Sequence, residues 1–279
     1  MARPEMLDGL YISVSQLKTF LRCPRQYELH YIRGEPPAFV PVALVFGSAI
    51  HTALASYYGE IRASGEPLRR DLMLDVFRDA WDKGASGPVP LQVDEDEDEA
   101  STERIVEKGV SMLHAFHEHA SKSAAGLHVL DVEKSFAIPI HDAETGAAFE
   151  ELLVGTIDLV VNDDGLRVVV EHKTAAKKYG VDQLRFDVQP TAYKIAAREM
   201  GMGEVGLKFQ VITKTKVPVI QIADIHRDDR DEDDFLRTVG GVLRAIDAGV
   251  SYPLRGWQCR SCPYAHACSS GTGVASCAA

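Results

Sequence analysis

The sequence predicts an α/β fold, on three observations. Residues 1–125 carry apolar positions at helical spacing through most of their length; from Val129 the pattern changes to short β-prone runs divided by turn residues; after Gln183 helical and β-prone stretches alternate up to a cysteine-rich end. A chain of 279 residues, 46% hydrophobic and 25% charged, is long enough to bury its own core as one large domain or two small ones. No apolar run approaches the ~18–20 residues that cross a bilayer, so no membrane partner is expected. The first residues, MARPEMLDGLYISVS, lack an apolar leader region, and five cysteines are too few for a disulfide framework. The expected setting is a reducing cytoplasm.

The elements follow in order. Ser13 with Gln16 three residues later is a capping signature, and Leu17, Phe20 and Leu21 then share a helical face. That helix is expected to end near Gly34 and Pro36-Pro37. Three more helices are expected over Val45–Ile61, Leu68–Lys83 and Thr102–Ala120. The runs Val129–Ile138, Leu152–Val161 and Leu166–His172, separated by HDAETGAA and NDDG, predict a β meander. A helix over Gln183–Met200, its start limited to about Asp187 by Pro190, precedes strands over Leu207–Thr213 and Val217–Ile225 and a helix over Glu232–Ala248. The expected division is a mostly helical part over 1–125 carrying Cys23 and His51, a core over 126–250, a cysteine-rich segment over 251–268 packing on the N-terminal helix, and a disordered tail over 269–279.

The formal charge of −11 at first argues against a polyanionic partner. The distribution of that charge removes the objection. Asp94–Glu99 and the acids between Asp228 and Asp234 account for the whole imbalance, and the rest is near neutral. Such runs read as solvated loops or helix starts.

The stretch GTIDLVVNDDGLRVVVEHKTAAK carries the chemistry. One acid, Asp158, interrupts an apolar strand, and Glu171-His172-Lys173 ends the next. If the turn centres on Asp163-Asp164, Asp158 faces Val169 and Glu171 lies diagonally along the same face with Lys173. Ile157, Leu159, Val161, Val168 and Val170 take the opposite, core-facing side. Diagonal neighbours ~7–8 Å apart at the backbone let two carboxylates converge on one divalent ion beside an ammonium. Such a set suits metal-assisted phosphodiester hydrolysis.

Gly155-Thr-Ile-Asp158 followed by Val170-Glu171-His-Lys173 resembles the core of the PD-(D/E)XK nucleases, with no Pro before Asp158, as in their RecB-like branch. Gln189-Pro-Thr-Ala-Tyr193 resembles that branch's QxxxY motif, whose spacing puts amide and phenol on one helical face, and Gly47-Ser-Ala-Ile-His51 resembles its GxxxH motif. The resemblance implies a restriction-endonuclease-like core, with a central mixed sheet flanked by helices. It implies Mg²⁺ or Mn²⁺ held by His51, Asp158, Glu171 and the His172 carbonyl. Lys173 would orient the attacking water, while Gln189 and Tyr193 steady Lys173 or the strand.

At the end, Cys259, Cys262 and Cys268 form CX2CX5C, with Cys23 far upstream. Four thiols so spaced suit Zn²⁺ or an iron–sulfur cluster, and spacing alone does not choose. The arrangement around the nuclease motifs resembles the iron–sulfur RecB-like exonucleases, including the AddB nuclease domain and the CRISPR-associated 4Fe-4S exonucleases, and so implies a 4Fe-4S cluster with a mechanical role. Cys277 is expected to stand apart.

Lys173, Lys177, Lys178, Arg185, Lys208, Lys214 and Lys216 trace a basic path, with Arg22 and Arg25 as further phosphate contacts and Tyr27 or Tyr31 as stacking surfaces. The resemblance implies a DNA exonuclease acting on single-stranded ends, most often 5′→3′, alongside recombination, replication or CRISPR-adaptation proteins. Two rival readings are a structure-specific endonuclease or nickase on the same site, and a non-catalytic DNA-binding subunit of a recombination or integration complex. No GxxxxGK[ST] sequence is present, so ATP-driven unwinding is not expected.

Overall fold

The computed structural model describes residues 10–93, 102–124 and 126–270; the acidic run Asp94–Glu99 and the segment 271–279, with Cys277, lie outside the described residues. The α/β class holds, with a mixed sheet flanked by helices. The chain divides into two compact units that are discontinuous in sequence, unlike the consecutive blocks expected. Cys23 and the C-terminal cysteines fall in the unit made of residues 1–39, 136–155 and 228–279; His51 falls with the hairpin in the unit made of 40–135 and 156–227.

In the first unit, β1 (Tyr11–Ser13) leads directly into α1 (Val14–Arg22). The capping signature is present: the Gln16 N–H donates to Ser13 Oγ at 3.2 Å and the Ser13 N–H donates to Gln16 Oε1 at 2.7 Å. Leu17 and Phe20 are buried, whereas Leu21 is 48% exposed and off the expected face. The helix does not run on to Gly34. Cys23 is extended (φ −166°), Pro24 opens α2 (Pro24–Tyr27), and one wide π-turn, Glu28–Ile32, follows. Proline fixes the break by restricting the preceding residue to extended backbone.

Strands β4 (His128–His141) and β5 (Ala148–Asp163) each cross the boundary between the units. In the first unit β1 lies parallel to β5, pairing Ile12 with Leu153. Helix α8 (Asp229–Asp247) is capped by Asp228, which accepts from the Arg230 and Asp231 N–H groups, so part of the second acidic run is a helix start. A short helix, Ala265–Ser270, ends the described chain, so residues 269 and 270 close a helix where a tail was expected.

The second unit holds α3 (Val42–Ser64), α4 (Arg70–Ala85) and α5 (Thr102–Ala120), with two-residue parallel strands at Val40–Pro41 (β2) and Leu91–Gln92 (β3). Among the described residues α3 alone is long and apolar enough to span a membrane by length and composition; here it is a core helix, burying Phe46, Ile50, Leu54, Tyr57 and Ile61. Its sheet continues from β5 to β6 (Leu166–Ala175), antiparallel; β7 (Val205–Thr213), parallel to β6; and β8 (Ile220–Ile225), antiparallel to β7. The parallel step follows from the crossover through α6 (Val181–Phe186) and α7 (Gln189–Glu199). Leu159, Val161, Val168, Val170 and Ile212 pack into the same core as α3, α4 and α5.

Candidate active site

The register of the β5–β6 hairpin differs from the expected one by one step of the turn. Asp163 pairs with Leu166 and Leu159 with Val170, so the turn residues are Asp164 and Gly165, both with positive φ (48° and 90°). An Asp-Gly pair adopts that mirror-image turn readily, and its twist matches the strands. The slip of two in residue sum keeps parity. Asp158 and Glu171 therefore remain on one face, and as the next residues beyond the Leu159–Val170 pair they stand opposite each other where a diagonal was expected. That face is not open: Val160 and Val169, on the same side, are fully or almost fully buried. Asp158 is 8% exposed and Glu171 4%.

Each of the two acids is held by named partners. Asp158 accepts the His172 backbone N–H at 2.8 Å on Oδ2, and its Oδ1 lies 3.3 Å from Nδ1 of His51 on α3. Burial pushes the Asp158 carboxyl up, but the His51 contact, His172 and the His172 N–H outweigh it and hold the group at about 2. His51 moves the other way: burial opposes its protonation and Asp158 overcomes this, raising it above the ordinary histidine value. Glu171 is lifted to about 7 by burial, with Lys173 opposing and Asp158 adding to the shift.

Lys173 donates to Glu171 Oε1 at 2.5 Å and to Gln189 Oε1 at 2.8 Å. On α7, Gln189 Nε2 donates to the Tyr193 hydroxyl at 2.7 Å, and that hydroxyl lies 2.7 Å from the Thr156 carbonyl and 2.9 Å from Glu171 Oε2. The i,i+4 spacing on α7 thus closes a ring through the strand acid and lysine. Lys173, despite burial, is held charged above its usual pKa by Glu171. The His172 ring turns to the opposite side, stacked on Tyr58 at 5.5 Å between centroids and 6° between planes; burial holds it neutral, with a pKa of about 4.

The sequence reading missed one residue. Glu133 on β4 offers a carboxylate oxygen that lies, with a His51 ring nitrogen and an Asp158 oxygen, in a set all within 4.8 Å of one another. An octahedral ion with ligands at about 2.1 Å has adjacent ligand atoms about 3 Å apart and opposite ones about 4.2 Å apart, so a set bounded at 4.8 Å needs to close by at most about 0.6 Å for opposite ligands, or about 1.8 Å for adjacent ones, to hold a divalent cation. Glu171 is not in this set; its two oxygens serve Lys173 and Tyr193. The signal for Glu133 lies in the backbone: its φ of 49° is left-handed inside a strand, which for a non-glycine residue costs roughly 1–2 kcal/mol. No sequence pattern announces such a residue.

The four cysteines Cys23, Cys259, Cys262 and Cys268 are half-buried free thiols in the first unit. They do not form a compact ligand set of the kind His51, Glu133 and Asp158 make. Burial raises the Cys262 thiol; the Tyr264 backbone opposes the shift, and Cys23, Cys259 and Cys268 add to it. The chain also joins Ala38 N–H to the Pro263 carbonyl at 2.9 Å and Arg25 N–H to that of Tyr252 at 3.2 Å, tying the N-terminal segment to the cysteine-rich one.

Of the basic path, Lys177, Lys178, Arg185 and Lys216 are exposed. Lys208 pairs with Asp163 at 3.1 Å, Lys214 lies over the Phe46 ring, and Arg25 pairs with Glu28. Tyr27 is 7% exposed, packed against Phe20 and Tyr31, so it is not the stacking surface expected.

Comparison with known proteins agrees with this geometry. Residues 11–269 match the PD-(D/E)XK nuclease superfamily. The chain belongs to that superfamily and is of the nuclease class. Among solved structures, a protein from Eubacterium rectale described as "Putative exonuclease" superposes with a TM-score of 0.57 at 15% identity, covering 100% of this chain and 96% of that one. SSO0001 aligns at 15% identity over 92% of this chain and 95% of its own, with a TM-score of 0.37, too low to carry an argument. No curated protein matches the sequence.

Proposed function

We propose that this protein is a divalent-metal-dependent DNA exonuclease acting on single-stranded ends, with 5′→3′ polarity, stabilised by a 4Fe-4S cluster. The observation that carries the catalytic part is the pair of buried acids Asp158 and Glu171 on one face of the β5–β6 hairpin, with Lys173 bonded to Glu171 and His51 against Asp158. Bound Mg²⁺ or Mn²⁺ would supply activation of water and neutralisation of phosphate charge. His51, Asp158, Glu171 and the His172 carbonyl are the groups that would hold it. The chain's own contribution is orientation. The His172 N–H fixes the Asp158 carboxylate, and Gln189, itself fixed by Tyr193, holds the Lys173 ammonium where it can position water and take part in its deprotonation. Hydrolysis then breaks one P–O bond, the water oxygen joining phosphorus and its proton passing to solvent or the leaving oxygen. Lys177, Lys178, Arg185 and Lys216 are exposed cations suited to a phosphate backbone.

The cluster reading rests on four free thiols that fall in one unit, whose N-terminal and cysteine-rich segments are joined by backbone bonds. Such a clamp would close a very long loop and hold the N-terminal segment on residues 251–268.

One preparation tests all parts. Anaerobic purification with iron and sulfide analysis reads the cluster, and cleavage of linear strands labelled at either end, beside end-blocked circles, reads the activity and its direction. Metal-dependent loss of label from the 5′ end of single strands is expected. Cutting of closed circles would replace the exonuclease reading with an endonuclease, and DNA binding without hydrolysis in Mn²⁺ would replace it with a binding subunit.

A further inference from the structure

We propose that Glu133 is a further ligand of the divalent ion, delivered to His51 and Asp158 by a left-handed residue in strand β4. The inference rests on reading the hairpin site as a nuclease metal centre, and it adds a residue that the GxxxH, Asp and ExK motifs do not contain.

Three observations converge on it. The first is placement. Ser135 Oγ meets Thr156 Oγ1 at 3.4 Å across the β4–β5 pair, and two residues along each strand, on the same face, come Glu133 and Asp158. The second is the conformation of the strand. Val129 and Val132 both pack toward the second unit's core although they are three residues apart, so the side-chain alternation breaks between them, and Glu133, immediately after the break, has φ 49°. Irregularities of this kind in strands re-aim a side chain and collect beside active sites. The third is the donor set. His51, Glu133 and Asp158 present one nitrogen and two carboxylate oxygens within 4.8 Å of one another. Glu133 is also the exposed member, while Asp158 is buried, so it closes the solvent side of the set.

The division of labour then extends the one the motifs suggest. Asp158 and His51 ligate from the strand and the core helix. Glu133 completes the same side, and Glu171, held by Lys173 and Tyr193, lies across from Asp158.

The test is Mn²⁺ binding to the full-length protein, by calorimetric titration and by electron paramagnetic resonance of free Mn²⁺, without DNA. Asp158→Asn defines which binding belongs to this site and separates it from ions taken up by the acidic runs. Glu133→Gln, which keeps shape and removes charge, is expected to weaken the D158N-sensitive site about 10- to 100-fold, the scale lost even when groups that only orient a ligand are removed. Glu133→Gly, which also relaxes the left-handed backbone, is expected to lose the same affinity while its metal-free melting temperature is no lower than that of the wild type. Both variants binding Mn²⁺ at that site like the wild type would overturn the inference and leave the nuclease reading standing. A wild-type protein with no D158N-sensitive Mn²⁺ site would overturn both.

Discussion

Replacing Tyr193 by Phe removes a single oxygen from the centre of the polar ring, and its cost can be worked from the contacts. The hydroxyl is the acceptor for Gln189 Nε2 at 2.7 Å and lies within hydrogen-bond reach of the Thr156 carbonyl and Glu171 Oε2. Tyr193 is 3% exposed and Glu171 4%, so water does not readily replace the lost partner. Leaving buried polar groups unpaired costs about 1–3 kcal/mol each; because the three groups share one hydroxyl and can relax together, a total of about 2–4 kcal/mol is expected. In a chain of this size that is a fall in melting temperature of about 5–10 °C. The effect on turnover comes through Gln189. Without the hydroxyl its amide is free to rotate, and Lys173 loses a fixed acceptor. Misplacement of such a group by about 1 Å costs on the order of 100-fold in rate, so kcat for single-strand cleavage should drop by about 10- to 100-fold with KM for DNA little changed. Thermal unfolding and steady-state cleavage of a labelled strand read the two effects. A variant with wild-type melting and wild-type kcat would show that the ring neither stabilises the fold nor positions Lys173.

Further substitutions probe other parts of the molecule. Gly109→Ala in α5 would drive a methyl into Phe77 Cζ, with Cε1 at 2.7 Å and Cε2 at 2.9 Å, and Phe77 is fully buried. Overpacking of about 1–3 kcal/mol then outweighs a helix-propensity gain of about 1 kcal/mol, so urea denaturation should find the variant less stable, against the usual effect of this change in helices. Asp142 accepts from the Glu144 and Thr145 N–H groups and pairs with Arg244, and the two turn N–H groups chiefly hold its carboxyl at about 2. A depressed carboxylate contributes stability above its unfolded pKa of about 3.9 and loses it as pH falls through 2. Asp142→Asn should therefore be less stable than wild type at pH 7, with the gap closing between about pH 4 and pH 2 in a series of melts. Cys262→Ser is expected to lower both bound iron and melting temperature in anaerobic preparations, and unchanged iron would remove Cys262 from the ligand set.

Much of the site was legible because its chemistry sits on regular elements. Parity along β5 and β6 put Asp158, Glu171 and Lys173 on one face whichever two-residue turn closed the hairpin, and i,i+4 spacing put Gln189 and Tyr193 together on α7. What the sequence hid depends on backbone detail. The Asp164-Gly165 turn competes with Asp163-Asp164 inside NDDG, and the positive φ that glycine allows decides the register. The break at Cys23 interrupts a stretch that otherwise reads as one helix, because Pro24 forbids helical backbone before it. Glu133 had no motif to mark it, since its place beside Asp158 comes from the β4–β5 pairing and a left-handed residue inside a strand. Tyr27 looked like a surface aromatic and is buried because Phe20 and Tyr31 close over it.

On the proposed reading, the buried acids and the lysine on the β5–β6 hairpin would hydrolyse phosphodiesters with a divalent ion. Cleavage of an end-labelled single strand by wild type and by Lys173→Ala, over a series of Mn²⁺ concentrations with DNA affinity measured alongside, tests it most directly. Mn²⁺-dependent cleavage by the wild type is expected, with its loss, by about 100-fold or more, in a variant that still folds and binds DNA. Equal cleavage by the two proteins, or cleavage by the wild type that persists in excess chelator, would contradict it.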